Sequence, residues 1–283
     1  MSSKIKKIAS LSLAVIMLVA TLASCNNSTI KEDVKRNGQE GYVGSGIVNN
    51  YDIDVFKDHV LIHKYVGKEE VIVVPKQLEG KDVTGIKDQA FDNEDGRNIK
   101  EVLLPNTIMT MTQYAFYKVP TLEKISFDGR NKNFKYEDGI VYNRTGTNIV
   151  TYPAQRPDKE FVIPNTVTVI NPSQFSNCVH LEKITIPESV TRIENFAFKN
   201  CSSLKTATLP NKLATIGTGI FIGCTSLEEL ILPKYGIDNI NAASVAGAPL
   251  KKVKAYTNTA GEFLVDELKE NGNKEVKFIA IKE

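Results

Sequence analysis

The chain has 283 residues, of which 42% are hydrophobic and 24% charged, proportions that are typical of a folded globular protein and argue against a disordered chain. Its formal net charge of +2 gives no support to nucleic-acid binding, which needs a concentrated basic patch. With 3 histidines and 4 cysteines, the sequence also offers few side chains for a metal or redox centre.

The N-terminus has the pattern of a secretory signal. Several lysines precede an apolar run from Ile8 to Ala23, which is shorter than the ~20 residues that a membrane-spanning helix needs. The run closes with Leu22-Ala23-Ser24-Cys25, which resembles the lipobox of bacterial lipoproteins, in which the cysteine is lipidated and becomes the new N-terminus. We therefore predict a signal peptide over 1–24 and lipidation of Cys25. The alternative is an ordinary signal peptide or membrane anchor.

Residues 25–45 are polar, charged and punctuated by glycine, with few apolar side chains. This composition is typical of a linker. We predict a flexible tether between the membrane and the folded domain.

The segment 46–98 is predicted to begin the folded domain. Tyr51–Phe56 and Val60–Tyr65 alternate between apolar and polar residues like two short strands, and Val71–Pro75 has the pattern of a third. We predict an N-terminal capping unit together with a first repeat.

From residue 99 to residue 259 the sequence repeats, with a period of 23 residues where it is most regular. Five residue types keep this register: Leu181, Leu204, Leu227 and Leu250; Pro164, Pro187, Pro210 and Pro233; Cys178, Cys201 and Cys224; Phe175, Phe198 and Phe221; Ile170, Ile193 and Ile216. Such periodicity indicates a solenoid of stacked coils, because a single coil cannot bury its own apolar face.

The local chemistry of one unit explains its shape. Ile184 and Ile186 alternate along a short strand and share one face. Pro187 ends that strand, because proline has no N–H for the ladder. Phe198 fills the far side of the coil, so that stacked coils share one core.

This Leu-x-x-Ile-x-Ile-Pro and Ala-Phe-x-x-Cys pattern resembles the BspA-like type of leucine-rich repeat. The resemblance covers most of residues 46–283 and is specific where the full period is present, from about 164 to 233. It implies a mostly β, right-handed α/β repeat solenoid with a parallel sheet on one face, displayed on a bacterial surface. Members of the family are generally regarded as adhesion or partner-binding proteins.

An insertion lengthens the repeat region. Pro105 and Pro164 are separated by one period and 36 further residues. The added segment, at about 128–157, contains alternating stretches on both sides of a turn at Asn143–Asn148. We predict an inserted β-hairpin.

The last repeat is degraded, since Ser244 and Gly247 stand where phenylalanine and cysteine are expected. Residues 261–270 have helical spacing, and Glu275–Ile281 alternates like a strand. We predict a C-terminal cap over 260–283.

The cysteines and histidines have structural explanations. Cys178, Cys201 and Cys224 occupy the same place in adjacent coils, which predicts a column of buried thiols, with metal ligands or one disulfide as the alternatives. His59 and His63 would lie about 13 Å apart on a strand, too far to share a metal. Because the sequence has no phosphate-binding loop and no nucleophile motif, we predict neither an enzyme nor a cofactor.

The exposed face of the predicted sheet is the candidate partner-binding surface, since solenoids commonly bind along such a face. Aligning the coils by their period gives a predicted surface of Glu101, Lys124, Ser126, Glu160, Lys183, Thr185, Thr206, Thr208, Glu229, Ile231 and Lys252. Its mixed charge and modest apolar content predict a polar protein or glycan partner. The alternative is a solvated face with binding elsewhere, such as at the inserted hairpin.

The sequence thus predicts a non-catalytic, lipid-anchored protein of the bacterial cell surface, monomeric, that binds an extracellular protein or glycan. Two other functions stay open. One is a carbohydrate-active or peptidase enzyme with an unrecognised site, and the other is a structural spacer in the cell envelope.

Overall fold

The computed structural model describes residues 29–31, 40–92, 96–235, 237 and 239–282. The predicted signal peptide and the predicted lipidation site at Cys25 lie outside these residues. The described chain winds into a β-solenoid of about 9 turns with coils of about 23 residues, which confirms the predicted fold class. Within the described part of the chain, no helix combines the length and the apolar content that crossing a membrane requires.

The first strands form an antiparallel sheet in chain order: β1 (Thr29–Lys31), β2 (Tyr42–Val48), β3 (Tyr51–Phe56) and β4 (His59–Tyr65). β1 and the first residues of β2 lie within the predicted tether over 25–45, and for the rest of that segment the tether stays a prediction. The glycines and polar residues of β2 resemble a linker in sequence. In the fold they pair with the edge of β3 and satisfy its backbone hydrogen bonds.

The strands that follow, up to the insertion, are β5 (Val71–Val73), β6 (Gln77–Leu78), β7 (Lys81–Ile86), β8 (Glu101–Leu104), β9 (Thr110–Met111) and β10 (Lys124–Phe127). Strands β5, β8 and β10 pair side by side in a parallel sheet. Strand β7 joins the parallel solenoid to the first sheet, because it pairs with β4 on one side and β9 on the other.

The insertion forms an antiparallel sheet of β11 (Phe134–Glu137), β12 (Ile140–Asn143) and β13 (Ile149–Thr151). The predicted turn closes β12 and β13 through a 3.0 Å bond from the Asn143 amide to the Asn148 carbonyl oxygen. The predicted hairpin is present as β12 and β13, and β11 extends it to a three-stranded sheet. That strand is largely exposed, so its sequence lacks the burial pattern of a core strand.

After the insertion come β14 (Glu160–Val162), β15 (Val169–Ile170), β16 (Lys183–Thr185), β17 (Arg192–Ile193), β18 (Thr206–Thr208), β19 (Thr215–Ile216), β20 (Glu229–Ile231), β21 (Lys252–Ala255) and β22 (Lys277–Ala280). Strands β14, β16, β18, β20, β21 and β22 form one parallel sheet, the C-terminal sheet, and β15, β17 and β19 form another. A 3₁₀ helix at Ala242–Val245 and helix α1 (Ala260–Glu270) precede β22. The predicted C-terminal helix and strand are thus present, whereas their role as a cap stays a prediction.

The insertion separates two hydrophobic core clusters. Val141 and Val150 pack into the cluster of the N-terminal half, which we define as residues 40–127. Ile140 and Ile149 pack into the cluster of the C-terminal half, residues 160–282. Because side chains of a strand alternate between its faces, the inserted sheet closes one core with each face.

Candidate partner-binding surface

The structure places every residue of the predicted surface on a strand, and none of them is buried. Glu101, Lys124 and Ser126 lie on β8 and β10. The remaining residues lie on the C-terminal sheet, between β14 and β21. The predicted surface is therefore divided in two, because β10 and β14 belong to different sheets.

Alternation along each strand aims these side chains outward. Buried Ile184 separates exposed Lys183 from exposed Thr185. Buried Ala207 separates half-buried Thr206 from exposed Thr208. The inward residue anchors the strand in the core, so the outward residues can change without a direct cost in packing.

The C-terminal sheet aligns outward residues from different coils into columns. Its register joins Glu160 to Lys183, Lys183 to Thr206, Thr206 to Glu229, and Glu229 to Lys252. A second column contains the β-branched residues Val162, Thr185, Thr208 and Ile231. Val162, which is 66% exposed, extends the predicted surface. Branched side chains are stiff at χ1 and lose little freedom when a partner covers them.

Charges on this face are mostly paired within the chain. Lys183 lies 3.5 Å from Glu160, and Lys254 lies 2.8 Å from Glu229. Between these pairs lie Thr185, Thr206 and Thr208, which we call the threonine centre. The centre is uncharged, whereas its margins carry ion pairs, of which Lys183–Glu160 is exposed and Lys254–Glu229 is half-buried.

A second set of charges runs beside the strands and was missed by the sequence prediction. The residue that precedes each strand alternates in sign from coil to coil, along Glu70, Lys100, Glu123, Lys159, Glu182, Lys205, Glu228 and Lys251. We call this column the charge ladder. Its nitrogen–oxygen distances include 2.7 Å for Lys100–Glu70, 2.9 Å for Lys159–Glu182 and 2.7 Å for Lys251–Glu228.

Glu182 shows the electrostatic effect of the ladder. Hydrogen bonds from Lys205 and Lys159 lower the pKa of its carboxyl group to about 2. The two lysine side chains are exposed, so solvent screens the interaction and the ladder adds little to stability. The ion pairs of the ladder neutralise one another, so few of its charges are available to bind a partner.

The cysteine column is buried, as the period predicts. The Cys201 thiol donates to the carbonyl oxygen of Phe175 at 3.0 Å, and the Cys224 thiol donates to that of Phe198 at 3.1 Å. Burial raises the pKa of Cys201 well above its ordinary value. These thiols pack as small apolar groups and are poor nucleophiles.

His59 and His63 lie on β4 beside acidic residues. The His59 ring nitrogen is 2.7 Å from the Asp58 carboxylate, and that of His63 is 3.6 Å from Asp52. Within the described residues, no cluster of three or more His, Cys, Asp or Glu side chains could hold a metal ion.

Comparison with known proteins agrees with this architecture. The family profile described as the BspA type leucine rich repeat region matches residues 77–156 and 154–261, in 6 copies. The solved structure of a leucine-rich repeat protein from Eubacterium ventriosum has 25% sequence identity and a TM-score of 0.56, over 75% of this chain and 55% of that one. This chain thus spans about half the length of that protein. No curated protein matches the sequence.

Two further solved structures are more distant. A leucine rich cell surface protein from Faecalibacterium prausnitzii has 16% identity and a TM-score of 0.42, over 78% of this chain and 97% of that one. The pneumococcal vaccine antigen PcpA has 14% identity and a TM-score of 0.40, over 84% of this chain and 99% of that one.

The stacked coils, the parallel strands and the register of their outward columns define a leucine-rich repeat solenoid. The chain belongs to the BspA-type leucine-rich repeat family, since the family pattern covers most of its length.

Proposed function

We propose that this protein is a lipid-anchored component of a bacterial cell surface that binds a protein partner, without catalysis, through the C-terminal sheet. Three observations support the proposal. The chain belongs to a repeat family whose fold presents extended binding surfaces. The sequence Leu22-Ala23-Ser24-Cys25 resembles a lipobox. The threonine centre lies on the outer face of the sheet, between paired charges.

The threonine centre is the observation that carries the proposal. The core of a protein interface is depleted of charged residues, and its rim is polar. The C-terminal sheet has this arrangement, because Thr185, Thr206 and Thr208 are uncharged and the ion pairs lie on either side. Val162 and Ile231 continue the uncharged column in both directions, so a flat partner surface could cover it without leaving an unpaired charge.

Retention experiments test this function. The immobilised chain is exposed to extracellular matrix proteins and envelope glycans, and compared with the double variant Lys183→Glu, Thr206→Arg. A matched control carries Lys212→Glu and Thr215→Arg, two exposed positions beside and on β19, which belongs to the other sheet. We expect the control to retain a protein that the sheet variant loses.

Other outcomes would identify the other functions. A chain that retains no material would be a spacer in the envelope. Turnover of a glycan or peptide library by the chain would indicate an enzyme. Equal retention by both double variants would move the binding surface away from the C-terminal sheet.

Release of the protein from the membrane fraction by Cys25→Ala would support the anchor, and unchanged partitioning of that mature variant into detergent would contradict it.

A further inference from the structure

The insertion leaves a cleft at the junction of the two halves, on the turn side of the solenoid and away from the strand face. We call it the junction cleft. Its volume is about 290 Å³, near the lower limit of pockets that hold small ligands. One wall is the turn at residues 113–122, the other contains the turns at 172–177 and 196–200, and Thr151 and Tyr152 lie between them.

Backbone hydrogen bonds close this side of the solenoid elsewhere. The Phe175 amide donates to the Ala197 carbonyl oxygen at 2.8 Å, and the Phe198 amide donates to that of Ile220 at 2.9 Å. Phe116 occupies the equivalent position in the last coil before the insertion. Within the described residues its amide makes no such bond to the next coil, because the insertion has parted the two turns. The wall of the cleft thus contains the Phe116 amide, a backbone donor whose counterparts in other coils form hydrogen bonds to the next coil.

The floor carries a further unused polar group. Thr151 lines the cleft and is 5% exposed. Its hydroxyl is buried without a hydrogen-bond partner among the described residues. Buried polar groups are normally paired, and those that are not call for an explanation such as a ligand.

The rim of the cleft contains Phe196, an aromatic residue with a left-handed backbone conformation. Phe196 has a φ of 60°, which bulky residues rarely adopt, and its ring is 39% exposed. The next coil has Gly219 at the equivalent position, where an added Cβ would lie 2.7 Å from that ring. Because Gly219 has no Cβ, it leaves the space that the Phe196 ring occupies. The left-handed backbone belongs to the repeat, since Ser173 and Gly219 have φ values of 54° and 61° at the same position, whereas the exposed aromatic ring is particular to this coil.

The charge of the cleft is one-sided. Of the described residues that line it, none is Asp or Glu, whereas Lys118 and Lys199 lie on its two walls. The Lys199 ammonium is 5.5 Å from the centre of the Phe196 ring, and the Lys118 ammonium is 5.7 Å from that of Tyr117. Amide side chains of Gln113, Gln174 and Asn200 complete the polar lining.

We propose that the junction cleft binds an acidic sugar unit, that is, a pyranose that carries a carboxylate. The apolar face of the sugar ring would cover Phe196, and its hydroxyl groups would use the side-chain amides, which both donate and accept hydrogen bonds. A carboxylate would form a charge-assisted hydrogen bond with the Lys199 ammonium group. The site is independent of the proposed protein partner, because it lies on a different side of the coils.

Titration calorimetry with two matched probes tests the proposal on the full-length chain in detergent. The probes are methyl glucuronide and methyl glucoside, which differ only in the carboxylate. We expect the glucuronide to bind at least tenfold more tightly. Lys199→Gln should abolish this preference, and Phe196→Ala should weaken both sugars. Lys212→Gln, which removes an exposed lysine outside the cleft, should change neither affinity.

The controls separate this site from the sheet. The variant Lys183→Glu, Thr206→Arg should keep its affinity for the glucuronide even if it loses its protein partner. Equal affinity for the two sugars, no measurable binding of either, or a preference that survives Lys199→Gln would overturn the proposal. Displacement of the glucuronide by an acidic peptide that binds more tightly would also overturn it, since the cleft would then be a peptide site.

Discussion

The two halves of the solenoid differ in how regularly they repeat. In the C-terminal half the strand register returns after 23 residues at every step from β14 to β21, and the rings of Phe175, Phe198 and Phe221 stack with centroid separations of 5.4 Å at both steps. In the N-terminal half Val71 pairs with Glu101, a spacing of 30 residues. Even so, Phe91 and Phe116 stack there at 5.0 Å. A longer turn is therefore tolerated as long as the ring column and the strand register are kept.

The insertion explains why both halves fit in one chain. It ends the parallel sheet at β10 and begins another at β14. The ring column changes there too, because Tyr152 approaches Phe175 at a tilt of 58° in place of a stacked phenylalanine. The inserted sheet shields the core of each half, at the expense of a gap in the turns where the junction cleft lies.

The largest effect is expected from truncating a ring in the regular half. Phe198 is fully buried between two rings, so Phe198→Ala should destabilise the fold by about 3–5 kcal/mol through the cavity that it leaves. Phe116 has a stacked ring on one side and lines the cleft on the other, so Phe116→Ala should cost less, about 2 kcal/mol. Denaturant unfolding measures both. Equal losses would mean that the column is not interrupted at the junction.

A second pair of variants tests whether the inserted sheet serves both cores. Ile140→Ala should cost about 2–5 kcal/mol and Val141→Ala about 1.5–3 kcal/mol, because both side chains are buried. Hydrogen exchange should rise mainly around β14 and β16 in the Ile140 variant, and around β8 and β10 in the Val141 variant. The same exchange pattern in both variants would contradict the two-sided role.

A third test compares thiol access in the two halves. Cys201 is fully buried within the regular column, so native protein should resist a thiol reagent for hours and react after unfolding. Val119 occupies the cysteine position beside the junction cleft. A Val119→Cys variant should therefore be labelled at least tenfold faster than Cys201. Slower labelling at 119 would show that the junction is as closed as a regular coil.

The smallest effect concerns the charge ladder. The pKa of Glu182 in the fold is about 2, below its ordinary value of 4.5, so ionisation favours the folded state. Its contribution is present above pH 4.5 and is lost as the pH falls towards 2. A carboxyl-detected NMR titration should show this low pKa, and replacing Lys159 and Lys205 by Gln should return it towards 4.5. An unchanged pKa in that variant would contradict the pairing.

Sequence periodicity was sufficient for the repeats but not for the elements at their margins. Leucine and phenylalanine return at fixed intervals because each coil must fill the same place in the core. The start of strand β2 was not predicted, because its glycines and polar residues resemble those of a linker. The charge ladder was missed because the insertion between Glu123 and Lys159 is not a whole number of periods, which hides the alternation of sign from the 23-residue register. The junction cleft depends on how distant turns meet, which no local pattern records.

The central claim is that a protein partner binds over the threonine centre of the regular half. The direct test is the equilibrium affinity for the partner protein that the chain retains. Lys183→Glu, Thr206→Arg should weaken binding at least tenfold, about 1.4 kcal/mol, because central positions are fully desolvated by a partner. Glu101→Lys, Ser126→Arg on the N-terminal half should weaken it less than threefold, and Lys212→Glu, Thr215→Arg should have no effect. Unchanged affinity in the first variant, or a larger loss in the second, would contradict the claim.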